Sequence, residues 1–261
     1  MDYIVLDIEF NGRKFASDLP MEVIEIGAVR LDSSLRQTDE FSAMIKPVYF
    51  SKLNTFIKKK TGIAQEEIDR ADGFRKGSAD FTAWLNRSES FLLITWGGED
   101  LKRIVYDTRM HKLDDAYWMA VLYYDLLKGF LRYKNVTNDV SVEAALLDLG
   151  IEAEGSAHRA LDDARMTSEV FRKIFDRLDL ELKQQFKDLY TNAKERRFVK
   201  NAIRTLLSQK KSPRWETVAE HFLASKVPLT DERKAAELQE YFVSELAKAL
   251  TKSSGNAGSA E

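Results

Sequence analysis

The order in which hydrophobic patterns follow one another along the chain is the feature that most constrains its fold. Apolar stretches rich in β-branched residues occupy residues 3–8, 23–31 and 41–46, and they predict three strands connected as a meander. Strand and helix patterns then alternate: residues 74–85, 100–110, 142–149 and 160–178 have helical periodicity, and residues 91–95 and 118–123 fit strands. This order predicts an α/β domain over residues 1–178, with a mixed five-stranded sheet flanked by helices.

Only helical patterns follow the predicted sheet domain. Residues 180–207, 214–224 and 231–250 have the periodicity of helices, with breaks near Pro213 and Pro228. Residues 252–261 contain mainly Ser, Gly, Ala and Asn and have nothing to bury. We therefore predict an all-helical C-terminal extension at residues 179–251 and a disordered tail at residues 252–261.

The composition excludes several classes of protein. The chain has no cysteine, which excludes disulfides, thiolate metal sites and cysteine nucleophiles and favours a reducing compartment. Its longest apolar run, residues 116–124, is far shorter than the roughly 20 residues needed to cross a bilayer. The start of the chain also lacks the pattern of a secretory signal. We expect a soluble, cytoplasmic protein without a membrane partner.

The charge is distributed unevenly along the chain. Residues 1–180 carry 25 basic and 31 acidic side chains, a net of −6, whereas residues 181–261 carry 15 and 11, a net of +4. Residues 192–214 hold eight basic side chains and one acidic one, so Arg196, Lys200 and Arg204 are candidate contacts to a polyanion. Apolar residues repeat at helical spacing beside them, however, and we favour the alternative of a solvated helix face.

Two carboxylates lie at the end of the first predicted strand. Asp7 and Glu9 are two residues apart, so in a strand they point to the same side and lie roughly 6–7 Å apart. Unpaired, they would repel each other and raise each other's proton affinity, whereas divalent cations would compensate both charges. The alternative is an acidic strand end without function, because Asp179 and Glu181 have the same spacing in another context.

A second candidate site lies at the start of the helical pattern over residues 160–178. His158 precedes Asp163 by five residues, which in an α-helix is a rotation of roughly 500°, so the two side chains would diverge if both were helical. They can share a site if His158 lies on the loop Gly155-Ser156-Ala157 that precedes the helix. The other two histidines, His111 and His221, have no carboxylate five residues on.

A third candidate is the turn after the strand predicted at residues 91–95. Trp96 is followed by Gly97 and Gly98, which allow a sharp turn before the next helix. Glu99 or Asp100 would then lie at the edge of the sheet beside the first strand. Alone, this motif indicates only a helix start.

Taken together, these residues resemble the DEDDh family of 3'-5' exonucleases, also called DnaQ-like, within the RNase H-like superfamily. The family has Asp-x-Glu on its first strand, a later Asp after the fourth strand, and a His followed at the fifth position by Asp. The matching residues here are Asp7, Glu9, Asp100, His158 and Asp163. Residues 22–29 are similar to the second strand of the family. The segments Asp7-Ile8-Glu9-Phe10 and Thr95-Trp96-Gly97 look most like the branch of KapD and ERI-type exonucleases.

The resemblance implies an RNase H-like fold and a metal-dependent 3'-5' exonuclease acting on single-stranded nucleic acid, RNA more than DNA. Asp7, Glu9, Asp100 and Asp163 would hold two Mg²⁺ or Mn²⁺ ions roughly 3.5–4 Å apart, with Asp7 bridging them and Asp100 acting mainly through water. These four carboxylates and His158 would be the catalytic residues. His158 would accept the proton of the attacking water, since a neutral imidazole accepts protons near neutral pH whereas lysine stays charged.

Contacts to nucleic acid are predicted at Phe10, Asn11, Ile26, Trp96, Arg196, Lys200 and Arg204. Apolar and aromatic side chains stack on bases of any sequence. Asn11 stands where many relatives have a Thr or Ser that touches the terminal sugar. For Ile26 and Trp96 we favour the alternative of a place in the core, which is the common location of apolar residues beside strands.

Two other functions stay open at this point. A DNA 3'-5' exonuclease of the proofreading or repair type would use the same chemistry on another sugar. A non-catalytic scaffold would bind nucleic acid, or a protein partner through the C-terminal helices. The clustered carboxylates argue against the scaffold, because a domain without catalysis has no need for like charges so close together.

Overall fold

A computed structural model of the protein describes residues 1–12, 21–152 and 158–255, with side chains described through residue 250. The chain forms two compact units. The first comprises Met1–Phe186 and the second begins at Lys187.

The first unit contains a seven-stranded sheet. Its strands are β1 (Asp2–Asn11), β2 (Glu22–Leu31), β3 (Gln37–Lys46), β4 (Asp72–Gly73), β5 (Phe91–Thr95), β6 (Leu122–Asp125) and β7 (Gln184–Gln185). They lie in the order β4-β3-β2-β1-β5-β6-β7. β1, β2 and β3 pair antiparallel, whereas β1, β5 and β6 pair parallel. The five longer strands confirm the predicted mixed sheet, and the two-residue strands β4 and β7 extend it at its edges.

Helices cover both faces of this sheet. In the described part of the first unit they are α1 (Thr55–Thr61), α2 (Gln65–Arg70), α3 (Phe74–Leu85), α4 (Glu99–Met110), α5 (Ala116–Ala120), α6 (Leu126–Lys134), α7 (Val142–Asp148) and α8 (Ala160–Ile174). Alternate residues of β1 enter opposite cores, because side chains in a strand alternate between its faces. Ile4 and Leu6 pack with residues of α3, α4 and α5, and Tyr3 and Val5 pack with residues of α6, α7 and α8.

The strand predicted at residues 118–123 is shifted in the structure. Residues Ala116–Ala120 form α5, and the Asp114 carboxylate accepts the Ala116 N–H at 3.0 Å at its start. Trp118 on this helix is buried in the core, and β6 begins only at Leu122. The prediction failed because a short, continuous apolar run has no periodicity that separates a buried helix from a buried strand.

The first unit extends eight residues beyond the boundary predicted at residue 178. After a 3₁₀ turn at Leu180–Leu182, the chain adds β7 to the edge of β6. Phe186 then packs in the core, edge-on to Tyr106 with ring centroids 6.3 Å apart. The prediction that no strand follows residue 178, and that residues 180–207 form one helix, is therefore wrong for the first part of that segment.

The second unit is helical, as the sequence predicts. It contains α9 (Ala193–Ser208), α10 (Trp215–Val218), a π-helical turn at Ala219–Leu223, and α11 (Glu232–Gly255). Asn192 and Glu195 start α9 with a capping box, each side chain accepting the backbone N–H of the other residue. α11 continues four residues into the segment predicted to be a disordered tail, and residues 256–261 lie outside the described part. Neither α11 nor any other helix within the described ranges combines the length and apolar character of a membrane span.

Candidate active site

The first carboxylate pair lies on β1, where this strand runs past its parallel neighbour. β1 pairs with β5 as far as Leu6, which lies opposite Thr95, and Asp7 follows directly. Asp7 and Glu9 share the face of Val5, which α8 covers. A register shift after Glu9 marks a β-bulge, a common feature next to functional sites. The pair therefore lies beyond the carboxyl end of a parallel strand, where open α/β sheets bind ligands.

Two residues of β2 hold the start of α8 against the sheet. The Glu25 carboxylate accepts hydrogen bonds from the Arg159 guanidinium at 2.9 Å and from the Ala160 N–H at 3.1 Å. A Cβ atom on Gly27 would lie 2.1 Å from the backbone nitrogen of Leu161, so α8 approaches this closely because residue 27 is glycine. These contacts fix the segment that carries the second predicted motif.

His158 and Asp163 lie together, with His158 outside the helix. α8 begins at Ala160, and His158 has a left-handed backbone φ of 70°. The backbone N–H of His158 donates to the two oxygens of Asp163 at 3.1 and 3.3 Å. The possible ligand atoms of Glu9, His158 and Asp163 all lie within 4.8 Å of one another. The Gly155-Ser156-Ala157 loop, on which the sequence argument relied, lies outside the described residues.

Asp100 reaches the same place from α4. Gly97 has a left-handed φ of 97°, and the Thr95 hydroxyl donates to the Gly97 carbonyl at 2.5 Å, so the chain turns sharply after β5. Asp100 then lies in the first turn of α4, and its carboxylate accepts the backbone N–H of Ile8 on β1. This contact joins α4 to the strand that carries Asp7.

The two acids considered at this turn have different environments. Asp100 is buried, whereas Glu99 forms ion pairs with Lys102 at 2.7 Å and Arg103 at 3.0 Å. Asp100 therefore belongs to the carboxylate cluster, and Glu99 stabilises the surface of α4.

The four carboxylates share one electrostatic environment. Burial raises the pKa of Asp7 well above its usual range, and the charges of Asp100, Asp163 and Glu9 raise it further. Burial also raises the pKa of Glu9 to about 7, of Asp100 to about 7 and of Asp163 to about 6. Among the ion pairs of the described residues, none joins a lysine or arginine to these four side chains. Close carboxylates without a paired cation suit hard divalent ions, which prefer oxygen ligands.

This electrostatic arrangement predicts an unusual dependence of stability on pH. Because the folded-state pKa values of Glu9, Asp100 and Asp163 lie above those of free carboxyl groups, the folded protein binds more protons between about pH 4 and pH 7. The free energy of unfolding should therefore fall as the pH rises through that window. In EDTA we expect the melting temperature to drop by about 5 °C between pH 5.5 and pH 8, measured by calorimetry. Saturating Mg²⁺ should reduce this drop, and an equal drop with and without Mg²⁺ would contradict the prediction.

Sequence reasoning missed charged residues that surround the carboxylates. The positive charge of Lys60, at the end of α1, partly offsets the increase in the pKa values of Asp7, Glu9 and Asp163. The run of three lysines at residues 58–60 could have indicated this basic group, but charge was counted over residues 1–180 as a whole, which concealed the run.

Lys60 also lines a cavity of about 540 Å³, together with Lys59 and Arg159. A hydrogen bond with the Ser141 side chain lowers the pKa of Glu143, in the first turn of α7, and the nearby His158 contributes to the same shift. No sequence pattern marked Glu143.

Two of the predicted nucleic-acid contacts are corrected by the structure. Asn11 is fully buried, and its side-chain amide donates to the carbonyls of Phe50 at 2.8 Å and Lys52 at 3.0 Å. Its side-chain oxygen accepts the Asn54 N–H at 2.9 Å, so its hydrogen bonds fix the loop after β3. Ile26 is buried in the core, in agreement with its alternative interpretation. Neither side chain presents a surface to nucleic acid.

Phe10 and Trp96 are each partly exposed, and both stay predicted contacts. Trp96 also packs against the core that contains residues of α6, α7 and α8, in agreement with the alternative favoured for it. The Arg103 guanidinium lies 5.3 Å from the centre of the Phe10 ring. The Trp96 indole N–H donates to the Val140 carbonyl at 3.0 Å, and the ring packs against Phe130 at 5.8 Å. Both aromatic rings are therefore held in place by other side chains.

The basic residues predicted on α9 lie in the second unit. Arg196 lies 3.7 Å from Glu237, and Lys200 lies 3.5 Å from Glu245, so acidic residues of α11 compensate two of the three charges. Arg204 is exposed. The opposite side of α9 packs in the core of this unit, as its periodicity predicted. Binding of a polyanion by this helix stays a prediction.

Comparison with known proteins places this site in a family. A family model described as exonuclease (RNase_T) matches residues 4–171. The chain is 26% identical over 186 residues to the probable 3'-5' exonuclease KapD of Bacillus subtilis, a match covering 66% of this chain and 83% of KapD. It is 24% identical over 195 residues to the 3'-5' exoribonuclease 1 of Rattus norvegicus, covering 70% of this chain and 56% of that enzyme. The match therefore spans little more than half of the rat protein.

The fold is also that of known nucleases. The nuclease domain of 3'hExo, a DEDDh family member solved with bound rAMP, superposes with a TM-score of 0.62 at 20% identity, covering 72% of this chain and 97% of that domain. These findings confirm the RNase H-like fold and the resemblance to the DEDDh exonucleases of the KapD and ERI type. Because the matched region is well over half of the sequence, the chain belongs to the RNase_T exonuclease family.

Proposed function

We propose that the protein is a metal-dependent 3'-5' exonuclease that hydrolyses single-stranded nucleic acid from its 3' end, with RNA as the preferred substrate. The observation that carries the proposal is the convergence of four carboxylates whose charges act on one another: Asp7 and Glu9 from β1, and Asp100 and Asp163 from the first turns of α4 and α8. A ring nitrogen of His158 lies within 4.8 Å of the carboxylates of Glu9 and Asp163. The relatives named as a 3'-5' exonuclease and a 3'-5' exoribonuclease support the direction and the sugar.

The donor set fits two Mg²⁺ or Mn²⁺ ions. It consists of carboxylate oxygens, the ligands that these ions prefer, and burial disfavours their charges in the absence of cations. Asp7, Glu9 and Asp163 would hold one ion, and Asp7 with Asp100, largely through water, would hold the other. When bound, such ions stabilise the charge that develops during phosphodiester hydrolysis.

The roles of the neighbouring residues follow from their positions. The His158 ring would accept the proton of the attacking water, as a general base within reach of the carboxylates. Its backbone, through the N–H bonds to Asp163, orients that carboxylate. Phe10 and Trp96 would stack on the terminal bases.

The proposal is tested with oligonucleotides labelled at one end. RNA and DNA strands of the same sequence, labelled at the 3' or the 5' end, are incubated with Mg²⁺, with Mn²⁺, or with EDTA. We expect the 3' label to leave as a mononucleotide, the 5'-labelled strand to shorten in single steps, RNA to be cut faster, and EDTA to stop the reaction.

Each other outcome identifies an alternative. Faster cleavage of DNA would favour a proofreading or repair exonuclease. Binding without cleavage in either metal would favour a non-catalytic scaffold, and release of internal fragments would contradict an exonuclease.

Lys60 is expected to bind a phosphate of the strand. It is exposed, its charge reaches the carboxylate cluster, and it lines the cavity beside α8. Replacing it in Lys60→Met should raise the KM for oligonucleotides about fivefold, as the loss of roughly 1 kcal/mol of binding implies. The dependence of affinity on salt should also weaken by about 0.7 in its logarithmic slope.

Lys58→Met is the matched control, since Lys58 is exposed on the same helix and does not line that cavity. Equal effects of the two substitutions would contradict a specific phosphate contact. The Mg²⁺ concentration for half-maximal activity should not rise in Lys60→Met, because removing a cation leaves the carboxylates more attractive to metal.

A further inference from the structure

A second group of potential metal ligands lies at the far end of α4. Glu22 begins β2, Asp107 lies in the last turn of α4, and His111 follows that helix. Their ligand atoms all lie within 4.8 Å of one another. Asp107 is seven residues beyond Asp100, about 10 Å along the helix, so the group is separate from the proposed catalytic carboxylates.

One atom of this group lacks the partner that its burial demands. Asp107 is fully buried, and its Oδ2 accepts the Val23 N–H at 2.8 Å, but its Oδ1 accepts no hydrogen bond. The His111 Nε2 lies 3.2 Å from this Oδ1 without the alignment of a hydrogen bond. A buried carboxylate oxygen left in this way costs free energy, so the position calls for a ligand.

The distances suit a metal ion. The His111 Nε2 lies 3.2 Å from Asp107 Oδ1 and 3.9 Å from Glu22 Oε1. Two ligand atoms bound to one zinc ion at about 2.1 Å in tetrahedral geometry lie about 3.4 Å apart, which falls between these values. Asp107 and His111 are four residues apart, the spacing that brings two ligands to one side of a helix.

The surroundings hold the three side chains ready. The Glu22 carboxylate is fixed by the backbone N–H groups of Val48 at 2.7 Å and Tyr49 at 2.8 Å. Phe74 stacks on the imidazole of His111 at 5.2 Å and 18°, and the ring of His111 stays partly open to solvent. A water or another small ligand therefore has room to complete the coordination.

The electrostatics also favour a cation. Two buried carboxylates approach the C-terminal end of α4, where the helix dipole is negative. In the residues that the structure describes, no lysine or arginine forms an ion pair with Glu22 or Asp107.

We propose that Glu22, Asp107 and His111 bind a divalent cation of the zinc class, separate from the catalytic ions. A set of one imidazole and two carboxylates suits Zn²⁺ better than Mg²⁺, because imidazole is a ligand of borderline metals. The ion ties the end of α4 to the start of β2 and so acts as a structural cross-link in the exonuclease domain.

The test measures zinc binding by the full chain, so its outcome does not depend on nuclease activity. Zn²⁺ is titrated calorimetrically in excess Mg²⁺, and bound zinc is counted by elemental analysis after dialysis. We expect His111→Gln and Asp107→Asn each to bind one zinc ion fewer than the wild type. His221→Gln is the matched control, because His221 also lies beside a carboxylate, Glu220 at 3.9 Å, and it should bind as much zinc as the wild type.

A second measurement uses the wild-type protein, and so decides the question even where a variant folds poorly. The chain has three histidines, so their imidazole nitrogens are resolved by ¹⁵N NMR, and variants of His158 and His221 assign the third signal. Stoichiometric Zn²⁺ should shift the Nε2 signal of His111. An unmoved signal, or equal zinc content in His111→Gln and the wild type, would show a metal-free acid–imidazole pair and overturn the proposal.

Discussion

Asp7→Asn should nearly abolish hydrolysis while making the metal-free protein more stable. The side chain keeps its shape and loses one charge from a buried group of four, in which Asp100, Asp163 and Glu9 each disfavour the ionised form of Asp7. If Asp7 bridges two ions, its loss removes several kcal/mol of transition-state stabilisation, which corresponds to at least about a 10³-fold lower kcat.

The gain in stability follows from the raised pKa of Asp7. A carboxyl group whose pKa is higher in the folded than in the unfolded protein destabilises the folded state at every pH at which the group is ionised. At pH 8 in EDTA, Asp7→Asn should therefore melt about 3 °C or more above the wild type. At lower pH the difference should shrink, because the raised pKa makes the wild-type group bind its proton at a higher pH than an ordinary carboxyl group does. In saturating Mg²⁺ the order should reverse, because the wild type alone gains the full stabilisation by bound ions.

Asp176→Asn provides the control, since Asp176 is exposed in a 3₁₀ turn of the same unit. It should change neither kcat nor the melting temperature in EDTA. A variant Asp7→Asn that loses activity and also melts lower in EDTA would show that Asp7 supports the fold, and would contradict the assignment of the cluster to metal binding.

The sequence alone assigned the carboxylates to their secondary-structure elements, because each occupies a position that local structure determines. Asp7 and Glu9 follow from the period of a strand, and Asp100 follows from a glycine turn that starts a helix. Their convergence required the order of the strands in the sheet, which the family resemblance supplied and the periodicity did not. The left-handed backbone of His158 has no sequence signal of its own, because glycine and not histidine usually marks that conformation.

The errors arose where long-range contacts decide the structure. Asn11 was predicted to contact nucleic acid because it stands where many relatives have a Thr or Ser that touches the terminal sugar, but three hydrogen bonds to a loop some 40 residues away bury it. Residues 184–186 were assigned to a helix from their neighbours' periodicity, although pairing with β6 and the packing of Phe186 make them part of the sheet unit. Contacts between distant segments override local propensity in both cases.

His158→Asn should lower kcat about 10²- to 10⁴-fold, the usual contribution of a general base, and leave the binding of metal and substrate unchanged. Asparagine is chosen because it tolerates the left-handed backbone of residue 158, whose N–H must still hold Asp163. His221→Asn is the control, because His221 lies in the second unit, and this variant should keep the wild-type kcat.

The division of the effect between kcat and metal affinity distinguishes the two roles open to this imidazole. Its ring nitrogen lies close enough to Glu9 and Asp163 to be a ligand as well as a base. A base acts only in the transition state, so its removal lowers kcat without raising the Mg²⁺ concentration for half-maximal activity. A ligand contributes to metal binding, so its removal would raise the Mg²⁺ concentration for half-maximal activity. Mn²⁺ accepts imidazole more readily than Mg²⁺, so Mn²⁺ would then activate the wild type, but not the variant, at lower concentrations than Mg²⁺. Loss of metal affinity in His158→Asn would contradict the general-base assignment, whereas an unchanged requirement for Mg²⁺ together with a lowered kcat would leave proton transfer as the function of this residue.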